Sequence, residues 1–240
     1  MQTHLFTMKR VLILRPQPGA DETAATLIEM GHVPVVFPIG RIEPLEAKID
    51  AKRGPFAAVA ATSVNGLRHA PAGLLSDNTH LLFFAVGPAT GEAARRRSFT
   101  NVIEGRTDGT ELARMIIDRR PAGSVLYLCG AVRRPEFEAA LEYAGIETVA
   151  VETYLASYPD LSGEFSALVD ADGLPDTVLV HSPEAGKTFD RLVTAAGVSL
   201  ERMTIIAISA RSAQPFVGRG CRVVIADQPN ELGMIAALAR

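Results

Sequence analysis

Residues 11–36 read VLILRPQPGADETAATLIEMGHVPVV, and this stretch decides the fold. It opens on a short continuous run of aliphatic residues, Val11 to Leu14. A segment with helical spacing follows, Asp21–Met30, and it stops at Gly31. A glycine just past the last periodic residue is a helix C-terminal signal. A second β-branched run, Val33–Phe37, comes next. Runs that are continuous rather than alternating are expected of strands covered on both faces by helices. Strand, helix and strand in this order predict a βαβ unit with parallel strands.

The same rhythm fills the chain. Strand-like runs recur at 56–62, 81–86, 101–104, 124–129, 146–151, 176–181, 204–208 and 221–226. The opening unit itself recurs: VLIL at 11–14 with Gly31 matches VLYL at 125–128 with Gly145, and a helix is expected over Pro135–Ala144. Ser63 matches Ser182, each at the end of an apolar run. AVGPAT at 85–90 matches AISARS at 207–212, and Glu111-Leu112 matches Glu231-Leu232. The offsets stay within about 114–122 residues and keep their order, which makes the chain two α/β repeats of about five strands each.

Two segments break the rhythm, 37–44 and 153–159. Both follow the second strand of their repeat and both contain proline. Read as a pair of connectors running side by side, they make one discontinuous lobe from 1–36 plus 160–240 and a second from 45–152, with a cleft between them. The expected fold class is α/β, with two similar parallel-sheet lobes joined by a two-stranded connector.

Composition sets limits on function. Of 240 residues, 48% are hydrophobic and 21% charged, so a sizeable core is expected and disorder is excluded as the main state. Aromatics are only 6% and Trp is absent, so that core is aliphatic and Ala-rich. A net charge of −3 excludes a broadly basic nucleic-acid-binding surface. An acidic ligand would have to be met by local positive groups. Cys129 and Cys221 lie far apart in apolar runs, which argues against a disulfide scaffold or zinc motif and fits a reducing cytoplasm. No apolar run reaches the roughly 18 residues of a membrane span. Met1 to Arg10 lacks the apolar core of a signal peptide, and Met8 is an alternative start that would leave Met1–Thr7 as a loose tail.

In parallel α/β sheets, ligands bind beyond the carboxyl ends of the strands. The residues there are Arg15-Pro16, Thr62 to Asn65, Gly87 to Thr90, Gly130 with Arg133 and Arg134, Ser182-Pro183, and Ser209 to Ser212. Small and hydroxylated residues at such turns cap helices. The same helix starts attract carboxylates and phosphates, and the two roles are compatible. Several such turns facing one cleft point to a polyanionic ligand.

The common nucleotide fingerprints, a GxGxxG opening the first helix and a Walker loop, are missing, as are HExxH and GxSxG. Of the histidines, His4 and His80 fall in a tail and a loop, His32 begins a strand, His69 lies in a helix, and His181 alone ends a strand at the cleft edge. Its ordinary role there is structural. The run Arg95 to Arg97 reads as a solvated helix end.

In combination these motifs resemble the uroporphyrinogen-III synthase family. The resemblance runs from Val11 to the C-terminus and is carried by VLILRPQPGADETAATLIEMGHVPVVFPIGRIEP (11–44), ATSVNGLRHA (61–70), AVGPATGEAA (85–94), GAVRRPEFEAALEYAG (130–145), VETYLA (151–156), HSPEAG (181–186) and PNELGMIAAL (229–238). It implies two HemD-like, flavodoxin-like lobes with the active site in the cleft. It also implies a cytoplasmic lyase of haem biosynthesis without metal or cofactor. Hydroxymethylbilane would lose its terminal hydroxyl as water. The resulting cation would attack the substituted carbon of ring D, and a spiro intermediate would invert that ring as the macrocycle closes. Hydroxymethylbilane synthase is the enzyme that would hand the substrate over; nucleic acid and membrane are not expected partners.

Carried onto this chain, the resemblance makes Tyr154 the cleft tyrosine that donates a proton to the departing hydroxyl. A phenol with a pKa near 10 is a weak acid for that, so a positioning role is equally expected. Thr62, Ser63, Gly87, Thr90, Ser182 and Ser212 become substrate-contacting turn residues, and Arg15 with Arg133 or Arg134 supplies positive charge for the carboxylates. Two positions depart from the family pattern. Arg211 stands where a small hydroxylated residue is usual, and His181 where Thr or Ser often precedes the Ser-Pro pair. They motivate the alternative of a two-lobed tetrapyrrole- or anion-binding or sensor protein that kept the fold without the reaction. A nucleotide-linked response module on a flavodoxin-like fold is disfavoured, because the chain is about twice too long and lacks an acidic cluster.

Overall fold

The computed structural model describes residues 8–47, 55–106 and 108–239. The segment Met1–Thr7, with His4, lies outside the described residues. In chain order the strands are β1 (Arg10–Ile13), β2 (Val33–Val36), β3 (Arg41–Pro44), β4 (Ala58–Ala61), β5 (Leu82–Ala85) and β6 (Val102–Glu104). They continue with β7 (Val125–Gly130), β8 (Thr148–Ser157), β9 (Thr177–Val180), β10 (Thr204–Ala207) and β11 (Arg222–Ile225). The helices are α1 (Gly19–Glu29), α2 (Val64–Arg68), α3 (Ala72–Ser76), α4 (Pro88–Arg96), α5 (Gly109–Arg119), α6 (Glu136–Tyr143), α7 (Ser162–Asp172), α8 (Pro183–Ala195), α9 (Ala210–Ala213) and α10 (Glu231–Ala236).

The chain divides into two compact units. One takes the chain up to Arg41 and from Ser157 onward, the other Ile42–Ala156. The first contains a five-stranded sheet of order β11-β10-β9-β1-β2, the second a six-stranded sheet of order β3-β8-β7-β4-β5-β6. Apart from the β3–β8 edge the two orders are the same, with repeat fragments exchanged. The first βαβ unit of one repeat sits beside the last three strands of the other in each sheet. Every strand of each five-stranded set pairs parallel to its neighbours.

The continuous apolar runs sit where burial on both faces demands them. All residues of β4, β7 and β9 are buried, whereas the edge strands β2 and β11 are exposed at their ends. Successive side chains point to opposite faces of a sheet. Leu12 and Leu14 therefore join Val178, Val180, Phe165 and Phe189 on one face, while Val11 and Ile13 join Leu179, Leu27 and Met234 on the other. The second unit repeats this division, with Val59, Ala61, Leu126 and Leu128 on one face and Ala58, Ala60, Val125 and Tyr127 on the other.

One element differs from the reading of local sequence. The runs 146–151 and 153–159 are joined in a single strand, β8. Its register against β7 passes from Cys129↔Glu152 to Gly130↔Tyr154, so Thr153 is one extra residue, a β-bulge. The Thr153 hydroxyl is buried and donates to the carbonyls of Gly66 (3.0 Å) and Cys129 (3.4 Å), which anchors the irregularity.

Candidate functional site

In the second unit the carboxyl ends of β4, β5, β7 and β8 carry the residues in question. Ser63 caps α2: it is extended, and its hydroxyl accepts from the amide of Asn65 at 3.2 Å. The Thr62 hydroxyl lies 2.8 Å from that of Tyr127. Burial pushes the Tyr127 phenol up to about 12, although the Thr62 hydrogen bond opposes the shift. Gly87 precedes α4, which begins at Pro88, and as a glycine it provides no side-chain cap. Thr90 is buried in that turn.

Tyr154 follows the bulge. Its carbonyl accepts from the amide of Ala131 at 2.9 Å, and its ring centroid lies 6.3 Å from that of His69. Burial, with the neighbouring Arg68 charge, lowers the His69 pKa and favours the neutral ring. Arg133 is held on all three guanidinium nitrogens. Nε and Nη2 donate to the two oxygens of Glu138 (2.7 and 3.2 Å), and Nη1 donates to Glu152 (2.8 Å) and to the Gly130 carbonyl (3.2 Å). Chiefly through the Glu138 hydrogen bonds, the Arg133 pKa is raised further. Arg134 is exposed and has no hydrogen bond or ion pair among the described residues. Burial pushes the Cys129 thiol up to about 12, so it is inert as a nucleophile at neutral pH.

In the first unit, Ser182 caps α8, accepting from the amide of Ala185 at 3.1 Å, and its hydroxyl is 3.5 Å from that of Tyr158. Ser212 is fully buried and bonds Ser209, the cap of α9, at 3.0 Å. Arg211 is exposed. Arg15 leaves the end of β1, and its Nη1 donates to Glu231 Oε2 (2.6 Å) and to the Thr23 hydroxyl (3.2 Å). Thr23 in turn donates to Glu231 Oε1 (2.6 Å), and His181 Nε2 lies 3.2 Å from Glu231 Oε2. Burial raises the Glu231 pKa, but His181, Thr23 and Arg15 together outweigh it and hold the carboxyl below the usual range.

The structure thus gathers the hydroxylated residues at helix starts, one set in each unit, and gives Arg15 and Arg133 carboxylate partners within the chain. Reasoning from sequence missed Thr23, Glu138, Glu152, Tyr127 and Tyr158. Glu231 carried one signal, its place in a repeat-matched Glu-Leu pair. Among the described residues no group of three or more His, Cys, Asp or Glu side chains could hold a metal ion, and no helix is long and apolar enough to cross a membrane.

Residues 21–236 match the family described as uroporphyrinogen-III synthase HemD. The chain belongs to the uroporphyrinogen-III synthase family. A uroporphyrinogen-III synthase from Saccharomyces cerevisiae is 32% identical over 120 residues, a match spanning 43% of this chain and 43% of the yeast protein's length. Two solved structures share the fold. Uroporphyrinogen-III synthetase from Helicobacter pylori superposes with a TM-score of 0.64 at 16% identity, covering 95% of this chain and 97% of that one. A mutant uroporphyrinogen III synthase from Thermus thermophilus gives 0.55 at 15% identity, covering 97% and 98%. At these identities the likeness establishes the α/β fold with its two parallel sheets.

Proposed function

We propose that this chain is a uroporphyrinogen-III synthase, a lyase that closes hydroxymethylbilane to uroporphyrinogen III with loss of water and inversion of ring D. The family match over residues 21–236 carries the reading. The helix-start turns at the carboxyl ends of both sheets support it, since such turns suit a ligand rich in carboxylates.

The reaction breaks the C–O bond of the hydroxymethyl group and releases water; the resulting cationic carbon bonds the substituted carbon of ring D, that carbon's bond to the ring C methylene breaks, and the methylene bonds the free α-carbon of ring D, which loses a proton. It needs no oxidant or reductant, because loss of water leaves the electron count unchanged. The protein's contribution is to hold one folded conformation of a flexible chain, an orientation effect. The Tyr154 hydroxyl donates the proton that leaves with the hydroxyl group. Ser63, Ser182 and the start of α4 at Gly87 meet acetate and propionate groups, with Arg15 and the Arg133–Arg134 pair as cations. Thr62, Thr90 and Ser212 shape those turns. Of the paired arginines, Arg134 is the one whose guanidinium is not already engaged. The setting is the cytoplasm, with hydroxymethylbilane synthase delivering the substrate.

The test is isomer analysis. Hydroxymethylbilane generated in a coupled assay should yield isomer III in the presence of the chain. Isomer I alone, at the level of the enzyme-free control, would refute the activity and favour a binding protein on the same fold.

A further inference from the structure

The polar group around Glu231 is more elaborate than packing requires. Its four residues come from four places: the end of β1 (Arg15), α1 (Thr23), the end of β9 (His181) and the first position of α10 (Glu231). Thr23 is fully buried, and the His181 side chain is 9% exposed. Both Glu231 oxygens are engaged, Oε1 by Thr23 and Oε2 by Arg15 and His181. Asn230 caps the helix that carries Glu231, its side chain accepting from the amide of Gly233 at 2.8 Å. The carboxylate is therefore held from both sides rather than resting on a mobile side chain.

What this carboxylate fixes is Arg15. The guanidinium lies against Gly19 at the start of α1, where an added Cβ would come within 2.6 Å of Nε and 2.7 Å of Cζ and Nη2. These distances put the added Cβ above the guanidinium plane on the side of the Nε–Nη2 edge, so glycine at 19 keeps that edge clear of a side chain. A cation over a helix N-terminus is unfavourable by itself, and Glu231 offsets it. A partly exposed ion pair contributes little to stability, and the Arg15 and Glu231 side chains are 28% and 34% exposed, so stability does not account for this arrangement. Only Nη1 of Arg15 is bonded among the described residues, and the side chain remains 28% exposed. The Nε–Nη2 edge, the edge that takes a carboxylate in two-pronged fashion, is left over.

We propose that Glu231, fixed by Thr23 and His181, is a positioning residue that presents the Nε–Nη2 edge of Arg15 to one carboxylate of the ligand. The proposal rests on the synthase reading for the identity of that ligand. It also gives the histidine at 181 a role. Its Nε2 steadies Glu231, while its buried Nδ1 has no partner among the described residues.

The test is a double-mutant cycle read as a split between KM and kcat. Glu231→Gln and Arg15→Ala should each raise KM about tenfold and leave kcat within about twofold, as expected when a charge-assisted contact to a ligand is lost. The double variant should be no worse than Arg15→Ala alone, because Glu231 acts through Arg15. His181→Gln, which retains a donor, should raise KM less than Glu231→Gln, and it serves as the second variant should Glu231→Gln not fold. A wild-type KM in both Glu231→Gln and His181→Gln, or additive effects in the double variant, would overturn the proposal. The same cycle is read as the Kd for uroporphyrin III, an octacarboxylate. A chain that makes no isomer III but shows the non-additive loss of uroporphyrin affinity refutes the synthase reading and keeps this one; uroporphyrin affinity unchanged by Glu231→Gln refutes this one.

Discussion

Gly130 forms the seat of Tyr154: a Cβ at position 130 would stand 2.8 Å from Cζ of the tyrosine and 3.1 Å from its hydroxyl oxygen. The bulge at Thr153 makes the two residues register partners across β7 and β8. Gly130→Ala should therefore push the phenol away from its position while leaving the strand pairing intact. We expect a kcat loss of about tenfold or more, with stability lowered by about 1 kcal/mol, the low end for an added methyl group, since the atoms displaced are the far end of one side chain. Steady-state kinetics beside a thermal melt would check this, and a large fall in melting temperature with kcat retained would contradict it.

Tyr154→Phe removes the hydroxyl and keeps the ring over Gly130. As the proposed proton donor to the departing hydroxyl, Tyr154 should be worth roughly ten- to a thousandfold in turnover. Isomer-resolved product analysis is the measurement. A rate near that of wild type would take Tyr154 out of the chemistry.

Arg133 and Arg134 should separate cleanly. Arg133 binds Glu138 through two nitrogens and Glu152 through the third, and its side chain is 23% exposed. Arg133→Met should cost about 1 kcal/mol in denaturant unfolding, because Glu138 and Glu152 lose a charged donor but remain partly solvated. Arg134→Ala should leave stability within about 0.5 kcal/mol and raise KM instead. The reverse pattern would make Arg133 the ligand-binding residue.

Glu231 should leave a mark on acid stability. Its folded pKa lies below the usual 4.5, so as pH falls the unfolded chain takes up the proton first. The stabilisation is present above about pH 4.5 and is lost as pH drops through the lower folded value. Glu231→Gln should flatten the fall in unfolding free energy over that window. An unchanged slope would show that the carboxylate is not held as described.

How much of the fold and site was legible in the sequence follows from range. The ten runs of branched residues all became strands, because a strand buried on both faces needs an uninterrupted apolar run, and that requirement is local. Ser63 and Ser182 were legible as helix caps for the same reason: the acceptor and the amide it serves are two or three residues apart. The bulge at Thr153 was not, since it depends on register against β7 and on a carbonyl of Gly66, 87 residues away. Nor was the occupation of Arg15 and Arg133. An arginine at a strand end looks alike whether it awaits a ligand or is already bound to Glu231, 216 residues on.

The amino-acid order by itself determined the elements, the two-fold internal repeat and the placing of small hydroxylated residues at helix starts, all of which follow from periodicity and capping within a few residues. The tertiary structure alone decided which strands pair across the repeats, why Gly130 must lack a side chain beneath Tyr154, and which arginines are already neutralised. The physical reason is that electrostatic pairing and close packing depend on distances in space, and only the folded sheets bring β1 to β9 and α10 to Arg15.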